Sequence, residues 1–303
     1  MNWLFRSNLL FLPLLLCFFI ANAQSDPLYS QYMFNIQAFN PAYTGSWNNA
    51  GFTVISRQQW SDFENNPESN SITFQYPTAN KKTGVGFSIL NDNIGELNRN
   101  YYYLDYSYGI RIKNNTILRM GLKGGMQNYR NNMAGFKLID PNDPAFLNHQ
   151  NELWMPNFGI GTFIYNNIFF SGFSINNILE NNYTPNFNKF IIIGGIVLHL
   201  AEGIDFKPTF NIIYNENSPV IADINVSFLF ANRVWIGAMY RTTDDLNVGI
   251  NANLILGDNL RVAYAYDMMH NTGLNAFSTG THEIMLSYEF SLSKTKFTSP
   301  RYF

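Results

Sequence analysis

The sequence has very little cysteine and little charge. Its single cysteine, Cys17, lies near the N-terminus, so the chain beyond it offers no disulfide, thiolate metal site or thiol catalyst. Only 13% of the residues are charged, against about 25% in ordinary soluble domains. The formal net charge is −2 at pH 7, which gives no electrostatic argument for nucleic-acid binding.

Long apolar runs are also missing beyond the N-terminal segment. A membrane helix needs about 20 consecutive apolar residues, and no such run follows Leu9–Ile20. A helical membrane protein is therefore excluded. Leu9–Ile20 follows Arg6 and precedes Ala21-Asn22-Ala23, which is the pattern of a secretory signal peptide with an A-x-A cleavage site.

We therefore predict a cleaved signal peptide over residues 1–23 and a mature chain that begins at Gln24. A transmembrane anchor is one alternative, but the apolar run is too short to span a bilayer. A lipoprotein signal ending at Cys17 is another, but Leu14-Leu15-Leu16 lacks the small residue expected before the cysteine.

Catalytic and cofactor motifs are missing as well. The chain has no H-E-x-x-H, no G-x-S-x-G, no phosphate loop and no complete dinucleotide glycine pattern. We predict no enzymatic activity, no cofactor and no metal centre. An outer-membrane enzyme would need a nucleophile, a base and an orienting group that converge in space, and the sequence leaves that alternative open.

What the chain does have, after about residue 50, is a series of short segments of alternating character. In Leu260–Asp267, Leu and aromatic or branched residues alternate with Arg, Ala and Asp. Because side chains alternate across a strand, such a segment has one apolar face and one polar or small face. Fourteen segments can be counted, near residues 51–59, 71–77, 84–91, 100–112, 116–128, 155–165, 168–175, 190–198, 205–214, 220–230, 234–241, 245–256, 260–268 and 282–291.

These segments predict an all-β fold, a transmembrane antiparallel β-barrel of about 14 strands over residues 51–291 of the exported chain. The connections after even-numbered segments are short, as at 166–167 and 257–259, whereas those after odd-numbered ones include the longer loops 92–99, 129–154 and 176–189. Bacterial barrels have short periplasmic turns and long external loops. A β-sandwich or a propeller does not explain this alternation of short and long connections. We expect an integral outer-membrane protein.

The remaining segments are an N-terminal segment, 24–50, and a C-terminal tail, 292–303. A barrel of 14 strands has a lumen wider than that of small barrels, which their own side chains fill, and narrower than that of open porins. The N-terminal segment is rich in aromatics, so we expect it to pack against the periplasmic mouth or inside the lumen; a loose leader is the alternative. Glycines in the fifth segment, such as Gly121, indicate a bend or a close backbone approach.

Charged residues of both signs fall on the polar face of the strands. We expect them to form salt bridges in the lumen, because an unpaired buried charge is costly. A selectivity lining for a pore is the alternative. The residues concerned are Arg57, Arg111, Arg261, Asp105, Asp223 and Asp267.

Several motifs resemble those of the PorP/SprF family, in the expected order and over essentially the whole mature chain. They are Asp26–Asn35 (DPLYSQYMFN), Asn40–Gly45 (NPAYTG), Arg57–Trp60 (RQQW), Asp140–Phe146 (DPNDPAF) and Gly280–Ile284 (GTHEI). The candidate family-motif or partner-binding residues are Asp26, Pro27, Tyr29, Gln31, Tyr32, Asn40, Pro41, Tyr43, Gly45, Arg57, Gln59, Trp60, Asp140, Asp143, Pro144, Phe146, His282 and Glu283.

The resemblance implies a non-enzymatic outer-membrane barrel of the type IX secretion and gliding machinery of Bacteroidetes-type bacteria. Such a barrel would assist the secretion or surface attachment of a cargo protein. SprF-like members are associated with large adhesins whose C-terminal domains the export system recognises, and PorP-like members with periplasmic components of that system. The implied partners are outer-membrane lipid and these proteins, not nucleic acid. A passive channel or transporter is the alternative function.

Two of the motifs carry a structural expectation of their own. Asn40-Pro41 and Thr44-Gly45 are turn-formers that flank a short stretch, which predicts a rigid folded hook. Asp140–Pro144 forbids helix and places two carboxylates close together. A calcium site is conceivable there, because hard cations take oxygen ligands; Asx turns that stiffen a long loop are the favoured interpretation.

Overall fold

The computed structural model describes residues 28–62, 65–113, 115–131, 152–179, 188–216, 218–242, 247–269 and 280–290. Three short 3₁₀ turns, Tyr32–Phe34, Ile36–Ala38 and Pro41–Tyr43, precede the sheet. The strands in the described part of the chain are β1 Gly51–Gln58, β2 Glu68–Pro77, β3 Thr83–Ile94, β4 Leu97–Lys113, β5 Thr116–Asn131, β6 Glu152–Tyr165, β7 Phe169–Asn176, β8 Lys189–Ile196, β9 Leu198–Ala201, β10 Ile204–Asn215, β11 Ser218–Phe230, β12 Val234–Thr242, β13 Asn247–Leu256, β14 Leu260–Met269 and β15 Thr281–Glu289.

The strands form one closed antiparallel barrel. Each strand pairs with its neighbour in sequence, and β1 pairs with β15 from Gly51 opposite Glu289 to Gln58 opposite His282. β8 and β9 both pair with β10 and are separated only by Val197, so they are two segments of one wall strand. The barrel therefore has 14 strands, which confirms the fold predicted from the alternating segments.

One predicted connection is wrong. The polar stretch 92–99 was expected to be a loop, but β3 and β4 continue through it to a tight turn at Gly95 and Glu96, where Gly95 has a φ of 57°. Asn91 lies opposite Asn100, and the two amides hydrogen-bond at 2.8 Å. Because these polar side chains pair across the strands, they do not break them.

The two faces of the sheet differ as the alternation predicts. On β14, Val262 and Tyr264 are exposed on the outside, whereas Arg261, Ala263 and Asp267 are buried inside. The same outward face carries Leu104, which is 73% exposed, and similar residues around the barrel. An apolar band of this extent fits lipid rather than water. No helix in the described ranges has the length and apolar character needed to cross a membrane.

The core of the protein lies inside the barrel. Residues 28–50, which we call the plug, fill the lumen, and their side chains from Tyr29 to Thr44 are almost all buried. They pack against inward-facing wall residues such as Phe163, Trp235 and Met285. The expectation of a lumen-packed segment is confirmed and the loose leader is not. The physical reason is that a wall of this size leaves space that its own side chains cannot fill.

The plug approaches the wall closely where the wall has glycine. A Cβ atom at Gly121 of β5 would lie 2.2 Å from the amide nitrogen of Ala42, and one at Gly161 of β6 would lie 2.2 Å from Oδ1 of Asn40. No side chain fits at either position. Of the two roles expected for glycine in the fifth strand, Gly121 has the close backbone approach.

The connections define two rims. The short-connection rim contains the turns at 78–82, 166–168, 231–233 and 257–259, and the opposite end is the long-connection rim. The start of the plug lies near the ends of β1 and β15 that face the long-connection rim. Its end lies at the short-connection rim, where Nζ of Lys81 donates to Oδ1 of Asn48 at 3.2 Å. The plug thus runs along the lumen from one half to the other.

Candidate functional site: the plug and its anchor

The plug has its own local structure, set by turn-forming residues. Oδ1 of Asn40 accepts a hydrogen bond from the amide of Ala42 at 2.9 Å, and Pro41 occupies the first position of the following 3₁₀ turn. Gly45 has a φ of 74°, and its amide donates to Oε1 of Gln75 at 2.8 Å. These are the roles expected of an N-cap, of proline at N1 and of glycine at positive φ. The turns predicted at both ends of this stretch are present.

Five residues anchor the start of the plug to the wall. Glu283 accepts the amide of Ser30 at 2.7 Å with one carboxylate oxygen and that of Gln31 at 2.9 Å with the other. Nη1 of Arg57 lies 2.9 Å from Asp267 and 3.2 Å from Glu283. The Ser30 hydroxyl donates to Asp267 and accepts from Arg57. We call this group the anchor; all five residues are buried.

The anchor exists because the barrel closes. Arg57 lies near the end of β1 and Glu283 near the start of β15, and the two are direct partners in the register. Two motifs from opposite ends of the barrel sequence therefore meet at one point. Of the residues predicted from the sequence, Gln31, Arg57 and Glu283 meet in the anchor. Tyr29 and Tyr32 flank it in the plug, and the hydroxyl of Tyr32 lies 3.1 Å from that of Thr209.

Further ion pairs of the wall hold the rest of the plug. Arg241 lies 2.6 Å from Asp223 and donates to the carbonyl of Tyr29 at 3.3 Å. Lys123 lies 3.6 Å from Asp105, and its ammonium donates to the carbonyls of Gln37 and Ala38. The side-chain amide of Gln37 donates to Asp105 at 3.0 Å. Charge-assisted hydrogen bonds such as these are about twice as strong as neutral ones.

The plug itself is electrically neutral, since residues 28–50 contain no Asp, Glu, Lys, Arg or His. Burial raises the pKa of the Tyr29 and Tyr32 phenols above its ordinary value, so both stay uncharged. The charges of the wall are therefore compensated mainly by one another, and the plug supplies amides, carbonyls and hydroxyls that replace water. This confirms the expectation of salt bridges for Arg57, Asp105, Asp223 and Asp267. Arg111 has the inward parity but lies exposed at the mouth, and its side chain forms no ion pair among the described residues, so its predicted pairing is not confirmed.

Phe34 is the main aromatic contact between the plug and cations of the wall. Nζ of Lys207 lies 4.4 Å from the centre of its ring, and the guanidinium carbon of Arg261 lies 5.0 Å away. The ring of Trp235 also packs against it, with the centroids 6.4 Å apart. Cation–π contacts gain strength when the cation is desolvated, and Lys207 is fully buried.

Replacing this ring should destabilise the barrel. We expect Phe34→Ala to lower the free energy of unfolding by about 3–5 kcal/mol, the range for a buried phenylalanine. Phe34→Leu keeps most of the apolar volume but loses the ring contacts with Lys207 and Arg261. We expect it to lower the free energy of unfolding by about 1–2 kcal/mol. Urea unfolding of the barrel in detergent measures both. Phe173→Ala, on the outward face, is the control, and an equal loss there would contradict a role for the plug.

Other predicted residues lie apart from the anchor. Gln59 and Trp60 follow β1, where the amide of Gln59 donates to the carbonyl of Pro67 at 2.8 Å. His282 points outward, and its Nδ1 lies 2.6 Å from the hydroxyl of Tyr264. Trp154, at the start of β6, lies on its outward face and stacks on Tyr102. Asp26, Pro27, Asp140, Asp143, Pro144 and Phe146, and with them the calcium hypothesis, lie outside the described residues.

Sequence reasoning missed several wall residues of this site. Arg241, Lys123 and Lys207 bind the plug and share the inward parity of their strands. Parity alone would have found them, because each occupies a buried position in an alternating segment. Among the described residues, no group of three or more His, Cys, Asp or Glu side chains is placed to hold a metal ion. In the described residues the site is a plug that is packed and hydrogen-bonded against the wall.

Comparison with known proteins agrees with this architecture. The model of a family described as type IX secretion system membrane protein PorP/SprF matches residues 21–288. No curated protein matches the chain. Among solved structures, the toluene transporter TbuX of Ralstonia pickettii has a TM-score of 0.51 at 9% identity, covering 84% of this chain and 93% of TbuX. A Pseudomonas aeruginosa FadL homologue has a TM-score of 0.46 at 9% identity, covering 84% and 94%. A KdgM porin has a TM-score of 0.40 at 8% identity, covering 79% and 99%. At these identities, the likeness to TbuX shows the barrel fold alone.

Proposed function

The chain belongs to the PorP/SprF family of type IX secretion system membrane proteins, and from this premise we propose that it is a non-enzymatic docking barrel of that system. In the outer membrane it would assist the secretion or surface attachment of a cargo protein, such as a large adhesin. It would do so by binding the cargo, for instance at its C-terminal secretion domain, or by binding periplasmic components of the system.

The main support for this proposal is that the plug fills the lumen. A barrel that conducts solutes needs a continuous aqueous path, but residues 29–44 are buried and bonded to the wall throughout the lumen. A filled barrel is a rigid body that presents its two rims to the compartments on either side. Such a body is suited to holding another protein rather than to passing small molecules.

The sidedness follows from the connections. Because short turns of bacterial barrels face the periplasm, the short-connection rim would meet periplasmic components. The long-connection rim would meet material at the cell surface. The anchor of the plug lies toward the second of these and its end toward the first, so the plug couples the two ends mechanically.

Deletion of the gene tests the proposal. We expect the loss of one or more specific proteins from the medium or the cell surface, while other outer-membrane proteins remain at normal levels. Quantitative mass spectrometry of the secreted and surface fractions measures this. Complementation with the wild-type chain should restore export. Unchanged export in the deletion strain, together with stable conductance of the purified wild-type barrel in planar bilayers, would instead support a passive channel.

A further inference from the structure

The short-connection rim surrounds a basin that the plug does not fill. It has a volume of about 780 Å³, within the range of protein ligand sites. The plug contributes Tyr43, Trp47 and Asn48 to its lining, and the wall contributes Arg111 and Tyr165. The basin is therefore concave, open at the end of the barrel and lined by aromatic and cationic side chains.

Its cations are exposed and lie at one end of the paired strands β3 and β4. Lys81 and Lys82 lie on the turn between β2 and β3, and Arg111 and Lys113 lie at the adjoining end of β4. Within the described part of the chain, the side chains of Lys82, Arg111 and Lys113 form no ion pair. Arg57, Lys123 and Arg241 in the lumen each do. Three exposed cations without an ion pair in the described residues therefore lie at or beside the basin.

The turn that carries the two lysines is ordered by its own hydrogen bonds. The amide of Lys81 donates to the carbonyl of Thr78 at 2.8 Å, and that of Lys82 to Oδ1 of Asn80 at 2.9 Å. Arg119, buried in the wall, donates to the carbonyl of Lys81 at 3.4 Å. The cations are therefore displayed from fixed backbone positions, which lowers the entropy lost on binding.

Acidic charge near the basin is already engaged or lies elsewhere. Glu289 also lines it, but this carboxylate is buried and accepts the side-chain amide of Asn49 at 2.7 Å. Glu202 and Asp258, which are exposed, lie on other turns of the same rim. Among the described residues, this sector of the rim is therefore positive, and its charge is complementary to that of an acidic partner.

We propose that this basin is the docking site for an acidic segment of a partner polypeptide. Carboxylates of the segment would pair with Lys82 and Arg111, and an aromatic or aliphatic side chain would pack on Trp47 or Tyr165. This deepens and rests on the proposed docking function, since it gives the partner a place and a chemistry. Electrostatic complementarity of this kind sets specificity and speeds encounter.

Two other occupants fit less well. The strand β15 ends at Glu289, which lines the basin. The sequence that follows, 291–303, contains Lys294, Lys296 and Arg301 and no acidic residue, so its charge has the same sign as the basin. Anionic lipid would meet the outward face of the wall. Arg111 has the inward parity of β4 and lines the mouth.

Fluorescence anisotropy with the full-length barrel in nonionic detergent tests the proposal. The probe is a short fluorescein-labelled peptide of alternating Glu and Tyr, and the comparison probe alternates Lys and Tyr. We expect the acidic peptide to bind, with an affinity that falls as salt is raised, and the basic peptide not to bind. Lys82→Glu combined with Arg111→Glu should weaken binding by about tenfold or more, the equivalent of two reversed charge pairs.

The matched control is Arg233→Glu, which reverses an exposed cation on the same rim outside the basin lining. We expect it to leave the affinity unchanged. Equal weakening by both variants, or no binding of the acidic peptide, would overturn the proposal. So would binding of phosphatidylglycerol vesicles that depends on Lys82 and Arg111 while the peptide does not bind. A tenfold gain in peptide affinity on removal of residues 291–303 would make that tail the occupant and overturn it as well.

The peptide-binding experiment and the gene deletion can succeed or fail independently. If the acidic peptide does not bind but gene deletion blocks export, the basin assignment fails and the docking function stands. If the peptide binds through Lys82 and Arg111 but deletion leaves export unchanged, the function fails and the basin remains a site for acidic peptides. The docking function and the basin assignment are both supported if the Lys82→Glu, Arg111→Glu variant inserts normally into the membrane of the deletion strain but fails to restore export.

Discussion

Removal of residues 28–45 is expected to convert the barrel into an open channel. The deletion leaves residues 46–50 to lead into β1 and takes away the side chains that fill the lumen. The ion pairs Arg57–Asp267, Arg241–Asp223 and Lys123–Asp105 are within the wall and remain. A wall of 14 strands without a plug approaches the size of porins, which hold an aqueous channel. Planar-bilayer recording should show stable porin-like conductance for the deletion and little for the wild type.

A synthetic peptide with the sequence of residues 28–47 should close the channel again when it is added to the deleted barrel. Because the contacts of the plug are specific, the same peptide with its sequence scrambled should have no effect. Removal of residues 291–303 from the wild-type chain is the matched deletion and should leave the conductance low. Equal conductance of the wild-type and plug-deleted barrels would show that the plug does not seal the lumen.

The barrel was predictable from the sequence because its signal is local. Each strand alternates between lipid and lumen, as Val262 and Tyr264 do against Arg261 and Ala263, and this requires only neighbouring residues. The closure of the sheet followed from the requirement that a sheet in lipid has no unpaired edge, and the even number of strands followed from the alternation of short and long connections. The prediction of a loop at 92–99 was wrong because the same polar residues can pair across two strands in one context and form a loop in another.

The position of the plug was only partly predictable. Its aromatic content indicated burial, but choosing between the mouth and the lumen depended on the width of the closed wall. A second signal was available, because a neutral segment such as 28–50 avoids the cost of burying charge. The anchor was beyond prediction, since pairing Arg57 with Glu283 requires the register between the first and last strands. That register is a property of the whole barrel rather than of any segment.

Loss of the Glu283 carboxylate should release the start of the plug. Glu283→Ala removes the acceptor of two amides, those of Ser30 and Gln31, and hydrogen bonds to charged groups contribute about 1.5–3 kcal/mol each. We therefore expect amide exchange at these two residues to accelerate by about 100-fold or more, equivalent to about 3 kcal/mol or more of local opening free energy. Hydrogen exchange followed by mass spectrometry of peptides that cover residues 28–34 measures this.

Glu289→Ala is the matched control, because Glu289 lies on the same strand and the same inward face, is equally buried, and contacts Asn49 instead. It should leave exchange at Ser30 and Gln31 unchanged. Arg57→Met tests the cation of the anchor, since it leaves Asp267 and Glu283 without their shared cation and removing one partner of a buried pair costs about 3–5 kcal/mol. Adding Glu283→Gln to Arg57→Met removes one of the two negative charges and should restore part of that stability, with a coupling of about 1–3 kcal/mol. Strict additivity of the two substitutions would mean that the anchor charges do not act together.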